Sequence, residues 1–243
     1  MVRPIPQGSF CGDRGHERSP VGVRRYRNTR RRKVGSHIKA ERPDKDAADM
    51  HARILDAAEA LLRRHGLAKL TVVDVARVLK MSHGNVYRHV DSKAALRAEV
   101  IRRWLDRVSD QTEAIASEVG PSDIRLRAWL TGLAVIKQRK VSEDAEMLAA
   151  AIEVLGDAPD VMAEHSARLT TQLAGILEDG RIDGTLAAVG DPTSTARAIL
   201  DATYRFHHPN LVAVGGPAEA QLVALNRVVD LVLPALTGKR AIV

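Results

Sequence analysis

Two hydroxyl-bearing residues, Thr71 and Ser82, stand eleven positions apart with a short apolar pattern after each, and that spacing constrains the fold more than any other feature. Thr71 is suited to an N-cap, and Asp74 three residues on returns a hydrogen bond and complements the helix dipole. Val72, Val75, Ala76 and Leu79 then recur at i, i+3, i+4 and i+7, one apolar face of a short helix. Only Lys80 and Met81 separate that helix from the next cap, and Met81 is set to staple onto Val86 beyond Ser82. The stretch therefore predicts two short helices joined by a tight turn.

The second of these helices exposes His83, Gly84, Asn85, Tyr87, Arg88 and His89, which are hydrogen-bonding or permissive residues. Gly84 lowers helix propensity by ~1 kcal/mol against Ala. That is tolerated where another surface must approach the backbone, or it marks only a loosely built turn. Asn can read adenine through paired hydrogen bonds, while Tyr and Lys hold phosphate oxygens. Upstream, Ile54, Ala57, Ala58, Leu61 and Leu62 form the apolar stripe of a first helix expected from near Asp46 to His65-Gly66. Downstream, Leu96, Val100, Ile101, Trp104, Leu105 and Val108 predict a longer fourth helix. Three helices arranged in this way have the spacing of a helix-turn-helix head, which sets its last helix in a DNA groove.

From Arg53 to Leu96 the residues resemble the tetracycline-repressor (TetR) family of bacterial transcriptional regulators. The resemblance rests on Arg53-Ile-Leu-Asp-Ala-Ala, His65-Gly66, Thr71, Val75-Ala76, Ser82-x-Gly84-Asn-Val-Tyr87-x-His89-Val and Ser92-Lys93-x-x-Leu96, in order and without gaps. It implies that Tyr87 and Lys93 anchor phosphates and that Thr71 touches the DNA backbone. It also implies that His83, Gly84, Asn85 and His89 belong to the groove-facing surface, and the exposed Arg88 beside them is a further DNA-binding candidate. Two positions depart from the family's habit. Lys80 stands where the inter-helix turn commonly has Gly, and a Lys there adopts a positive φ only with strain. Val90 replaces a common Phe but still fills an apolar site.

Length and composition fit a two-part protein, with 243 residues allowing a head of about fifty residues and a larger bundle. The single cysteine, Cys11, excludes an internal disulfide framework and argues against a Cys-based zinc site. No uninterrupted apolar run reaches the ~18 residues of a membrane span, and no secretory apolar segment follows Arg24-Arg25. The expected location is the cytoplasm, on the nucleoid when bound to DNA, with no membrane partner. Charge is uneven: residues 1–45 hold 13 Lys and Arg against 4 Asp and Glu, so the overall +7 belongs to that segment. The cluster Arg24, Arg25, Arg27, Arg30, Arg31, Arg32 and Lys33 lies amid Gly, Pro and Ser without apolar periodicity, a composition expected to be disordered. It reads either as a phosphate-tracking arm or as an extended start with Met50 as an alternative first residue.

The remainder reads as helical, giving an all-α chain. A long helix joins the N-terminal three-helix helix-turn-helix head, residues 46–95, to a C-terminal bundle, residues 96–243, for ligand binding and dimerisation. Pro121 opens a helix reaching about Lys140, Ser142 caps the next, and Pro159 starts one that ends near Gly180. Asp191-Pro192 is a cap followed by proline at the first helical position. That helix is expected to end with Tyr204, Phe206 and His207 where Pro209 stops it, and Pro217 opens the last helix. In the last helix Leu222, Leu225, Val229, Val232 and Leu236 recur at alternating spacings of three and four, the seam of a helix packed along another. Val228, Leu231 and Leu233 widen the stripe beyond what one monomer face requires, and Pro234 is expected to kink or end the helix a turn early. The resemblance implies a homodimer through this helix, with Leu222, Leu225, Val229 and Val232 at the interface, and a pocket for a small-molecule effector in the bundle.

The effector's chemistry is not written in the sequence. Candidate wall residues are Trp129, His165, Tyr204 and His207, each of which is equally explained as core filler, a hydrogen-bonded core histidine or a helix-end residue. His207 and His208, being adjacent, are expected on different faces, so no shared metal is predicted. With seven aromatic residues in the chain, an aliphatic or small ligand is favoured over a flat polyaromatic one. No cofactor motif is present: there is no phosphate-cradling Gly-rich loop, His-Glu-x-x-His, Cys pair or Gly-x-Ser-x-Gly elbow, and the expectation is a non-enzyme. The reading is a ligand-responsive, sequence-specific regulator, most naturally a repressor, on a palindromic double-stranded DNA operator. The alternatives are a weakly specific nucleic-acid-binding protein driven by the basic segment, and an all-α enzyme. Deletion of residues 1–40 separates arm from extended start: an arm predicts weaker operator binding and a salt slope reduced by about 0.9 per lost phosphate contact, measured by fluorescence anisotropy across a salt series. Unchanged affinity and slope would mean that these residues are incidental to DNA binding.

Overall fold

The computed structural model describes residues 42–238, with side chains from residue 46. The basic segment discussed above lies outside the described residues up to position 41. Among the described residues there are ten α-helices and no strand. They are α1 Arg42–His65, α2 Val72–Val78, α3 His83–Val86, α4 Lys93–Ala116, α5 Ser122–Glu143, α6 Ala145–Asp157, α7 Pro159–Asp183, α8 Pro192–Thr203, α9 Pro209–Val214 and α10 Ala218–Thr237. Thus α1 begins at Arg42, slightly earlier than its apolar stripe predicted.

Hydroxyl caps set the starts of α2, α3 and α4. Thr71 Oγ1 accepts from the Asp74 amide at 3.1 Å and donates to Asp74 Oδ2 at 2.6 Å, a reciprocal cap on α2. Ser82 accepts from the Asn85 amide at 3.2 Å and Ser92 from the Ala95 amide at 3.0 Å, starting α3 and α4. Between α2 and α3, Lys80 is the one described non-glycine residue with positive φ, at 54°. Its amide donates to the Arg77 carbonyl at 3.2 Å, and the Met81 amide donates to the Ala76 carbonyl at 3.0 Å. This pair of bonds is a Schellman closure with Lys80 at the position that glycine usually takes. The turn therefore keeps its geometry, and the strain of a side chain in the left-handed region is borne by two satisfied carbonyls.

Apolar side chains gather in two clusters. The first joins Ile54, Ala58 and Leu62 of α1, Val75 of α2, Val86 and Val90 around α3, and Leu96, Val100 and Trp104 of α4. Met147, Ala150, Ala151 and Val154 of α6 belong to the same cluster. The second lies among α4, α5, α7, α8 and α10, with Trp129, Leu133, Leu173, Ile176, Phe206, Leu225 and Val229 at its centre. The long α4 contributes to both. Head and bundle are consequently not separated by a polar gap, and the boundary expected near residue 95 falls inside a helix.

Three boundaries differ from the sequence reading. Ser142 is the penultimate residue of α5 and turns back to the Arg139 carbonyl, so α6 instead follows Asp144. Pro209 does not merely stop a helix: α8 ends at Thr203, residues Tyr204–Phe206 form a 3-10 turn, and Pro209 opens α9 at its first position. α10 runs through Pro234 to Thr237. The missing amide there falls in the last turn and leaves only the carbonyl of solvent-exposed Asp230 unbonded, so one lost bond is tolerated. By length and composition α10 is also apolar enough to cross a membrane, yet it is fixed to the bundle by buried Leu225 and Val229 and by an ion pair from Asp230 to Arg127.

Lys80→Gly removes the side chain from the left-handed position and should raise stability by up to ~1 kcal/mol, whereas β-branched Lys80→Ile should lower it by ~1 to 2 kcal/mol. Urea unfolding measures both, and a stabilising Ile variant would contradict the observed turn.

Candidate nucleic-acid interface and effector cavity

The head presents one polar surface. Val86 and Val90 are buried and hold α3 and the turn after it against α1, α2 and α4, which leaves His83, Gly84, Tyr87 and Arg88 facing solvent. Lys93 is exposed at the first position of α4, beside amides that have no intrahelical partner. A cation there opposes the helix dipole unless an anion sits between them, and a phosphate oxygen can accept from both. Arg88 and Lys93 have no ion pair among the described residues, whereas Arg102, Arg103, Arg107, Arg125, Arg127 and Arg168 on the body all meet carboxylates. Gly84 has no positive φ, and a Cβ placed on it would meet nothing within 4 Å. Neither backbone conformation nor internal packing requires glycine at that position.

The remaining candidates are partly withdrawn. Thr71 is half-buried, and its hydroxyl is engaged with Asp74. Asn85 is half-buried and turns its amide nitrogen toward Met81 Sδ at 3.8 Å, so reading a base requires it to rotate outward. His89 is held through its backbone: its carbonyl accepts from His51 Nδ1 at 3.0 Å, while His51 Nε2 lies 2.7 Å from Glu99 Oε2. His51 thereby ties α1 and α4 to the end of the α3 turn. Sequence reading missed it, because no periodicity marks a bridging histidine on the polar side of α1.

A cavity of about 510 Å³ opens between α4, α5, α6, α7, α8 and the loop leading to α9. Its apolar wall includes Leu105, Val108, Leu148, Ile152, Leu169 and Leu200. Of the expected wall residues, His165, Tyr204 and His207 line it. Trp129 does not: it is fully buried and donates to Gln172 Oε1 at 3.2 Å, within a network that also takes a bond from Thr112 at 2.7 Å. Trp104 lines the cavity instead. His207 and His208 are both wall residues, each with its ring against Tyr204, so the expectation that they face apart is corrected by the bend after α8. Among the described residues no cluster of metal-ligating side chains is present.

The polar part of the wall centres on α5. Lys137 Nζ lies 3.1 Å from His165 Nε2, and His165 Nδ1 lies 2.9 Å from Ser109 Oγ. Burial, with the charges of Lys137, Arg168 and His207, pushes His165 down to about 2, and burial outweighs a bond to the Leu200 carbonyl to push His207 down to about 4. Both imidazoles are neutral at pH 7. Lys137 was not anticipated, although it continues the stripe of Leu126, Leu130 and Leu133 at helical spacing. Asp144 lies behind the wall residues Trp104 and Lys140. It accepts from Trp104 Nε1 at 3.1 Å and from Lys140 Nζ at 2.9 Å, and it pairs with Arg63 of α1. Burial opposes its ionisation, but these three partners prevail and hold the carboxyl down to about 2.

On α10 the structure reassigns half of the proposed dimer seam. Leu225 and Val229 are buried against this chain's own bundle and have no surface left for a partner. Leu222 and Val232 are half-buried, and the outward stripe is Val223 at 48% and Leu231 at 76% exposure. The seven-residue repeat marked the helix's inner face, and of the residues that widened it Val228 and Leu233 also pack against the core, leaving Leu231 outward.

A helix-turn-helix head rooted in a bundle that encloses a mixed apolar and cationic cavity defines a ligand-responsive DNA-binding transcriptional regulator. The chain belongs to the tetracycline-repressor family: residues 54–100 match the bacterial regulatory proteins of the tetR family, and residues 122–224 match a tetracyclin repressor-like C-terminal domain. It is 28% identical over 195 residues to the HTH-type transcriptional repressor KstR2 of Rhodococcus jostii, covering 76% of this chain and 90% of that one. Its fold is similar to that of a TetR-family regulator from Mesorhizobium loti, with TM-score 0.63, 18% identity, and 78% and 96% of the two chains covered. A TetR regulator from Haloarcula marismortui is likewise similar, with TM-score 0.60, 22% identity and 76% and 98% coverage.

Lys93→Ala should weaken binding to all DNA sequences alike and lower the salt slope by about one. Asn85→Ala should lose ~1 to 3 kcal/mol at one base position, read from anisotropy titrations against single-base operator variants. Uniform loss for Asn85→Ala would make it a positioning residue only.

Proposed function

We propose that the protein is a repressor that binds a palindromic operator as a homodimer and is released by a small molecule held in the bundle cavity. The observation that supports this is the double duty of α6. Met147, Ala150 and Val154 sit in the head's apolar core, while Leu148, Ile152 and Leu155 on the same helix line the cavity. A ligand that displaces α6 therefore acts on the packing of α1, and Asp144 at the start of α6 adds a polar tie to Arg63 of that helix. Differential binding of ligand to the two head positions shifts their populations, and DNA must weaken ligand binding by the same factor. On this reading residues 46–95 carry the DNA contacts: His83, Gly84, Tyr87 and Arg88 approach the groove, and Lys93 a phosphate.

The dimer follows from α10. Val223 and Leu231 lie on one outward face with exposed Arg227 between them, and exposed apolar residues of this kind on the body suit a second copy related by a two-fold axis. Two heads then meet two half-sites about one helical turn apart, which is how one short helix per protomer gains specificity. Leu231→Glu should convert the dimer to monomers in sedimentation. It should also abolish the preference for a full palindrome over a half-site, while the unaltered protein is expected to prefer its operator over non-specific DNA by ~10³ or more. An unaltered protein that sediments as a monomer at all concentrations, or that binds genomic fragments without preference, would overturn the proposal.

A further inference from the structure

Within the cavity wall, Lys137 is a charge that the protein leaves unbalanced. It is buried, 8% exposed, and an ammonium carries three donors, one of which is spent on His165 Nε2 at 3.1 Å. His165 accepts that bond as a neutral imidazole, so its Nδ1–H donates to Ser109 Oγ, which donates on to the Leu105 carbonyl at 3.4 Å. That relay satisfies His165 and Ser109 and leaves the remaining donors of Lys137 without a described partner. Elsewhere in the wall Lys140 is paired with Asp144 at 2.9 Å and His207 is bonded to the Leu200 carbonyl at 3.0 Å, while Arg197 and Asp201 of α8 line the cavity at one-turn spacing. His208 and Tyr204 lie ring against ring. No carboxylate offsets Lys137: burial first, then the like charge of Lys140, push it down to about 8.

We propose that the effector is an amphipathic organic monoacid, its carboxylate seated on the free donors of Lys137 and its hydrocarbon part against Leu105, Val108, Leu169 and Leu200. This rests on the reading of the cavity as the effector site. A carboxylate supplies acceptor oxygens and one negative charge, matching one ammonium. A neutral alcohol or amide would leave the lysine charge as it is. Filling the site also exchanges a strained electrostatic position for a paired one, which gives the bound state a reason to differ from the free one.

The test titrates decanoate, decanamide and decanol into the full-length protein and into Lys137→Met by calorimetry, and in parallel follows release of a protein-selected DNA fragment by anisotropy. The unaltered protein should bind decanoate at least about tenfold tighter than decanamide. Lys137→Met should erase that advantage while keeping its affinity for decanol, which establishes that the cavity is intact. Decanoate affinity should be level from pH 6 to 7.5 and fall about tenfold per unit above pH 8, as the ammonium of the free protein is lost, whereas decanol affinity should stay flat. Equal affinity for acid and amide, an unaffected Lys137→Met variant, or no binding of any of the three overturns the monoacid inference and leaves the regulator reading standing. Tight decanoate binding through Lys137 without DNA release keeps the acid site and overturns its role as effector site.

Discussion

The structure depends on one packing arrangement, the burial of α6 in the apolar core of the head. Met147 and Ala150 are shut in with Ile54, Leu62 and Val86, so the helices that meet DNA have no separate core of their own. A head of about fifty residues buries little apolar surface by itself. Sharing its core with α4 and α6 supplies the missing burial, and it makes the head's position responsive to anything that moves α6. Close-packed interiors transmit displacement because they cannot deform continuously.

Polar contacts refine that coupling. Asp144 gathers Trp104, Lys140 and Arg63 at the junction of α5 and α6, and His51 connects the end of the α3 turn to α1 and α4. Exposed ion pairs between α4 and α7, such as Arg102 with Glu164, contribute little individually. Those at Asp144 differ because the carboxylate is largely enclosed and accepts from three donors. Removing it would leave Lys140 in the cavity wall without its carboxylate, while Arg63 would keep Glu59.

Much of the head was legible in the sequence because its signals are local. Thr71 and Ser82 cap the helices whose first residues they precede, and each needs only its own next three residues to do so. Lys80 was legible as a departure from glycine, and the structure gives it the positive φ that the turn demands. The cavity was only half legible. His165 stood out as a histidine on an apolar stripe, and Tyr204 and His207 as the end of a helix, but Trp129 was misplaced because a large apolar residue fits a core and a pocket wall equally well. Lys137, on the stripe of Leu126, Leu130 and Leu133, was the overlooked counterpart of His165.

The sequence by itself determined the class of fold, the starts of the short helices and the polar face of α3, since caps, turn closure and 3.6-residue periodicity act between neighbours along the chain. Only the tertiary structure decided which apolar stripe of α10 faces inward, that Pro209 begins a helix, and that Lys137 meets His165 across the bundle without a carboxylate. Those outcomes depend on which surfaces arrive from distant segments, and a residue's burial or missing partner is a property of that meeting rather than of its own stretch of chain.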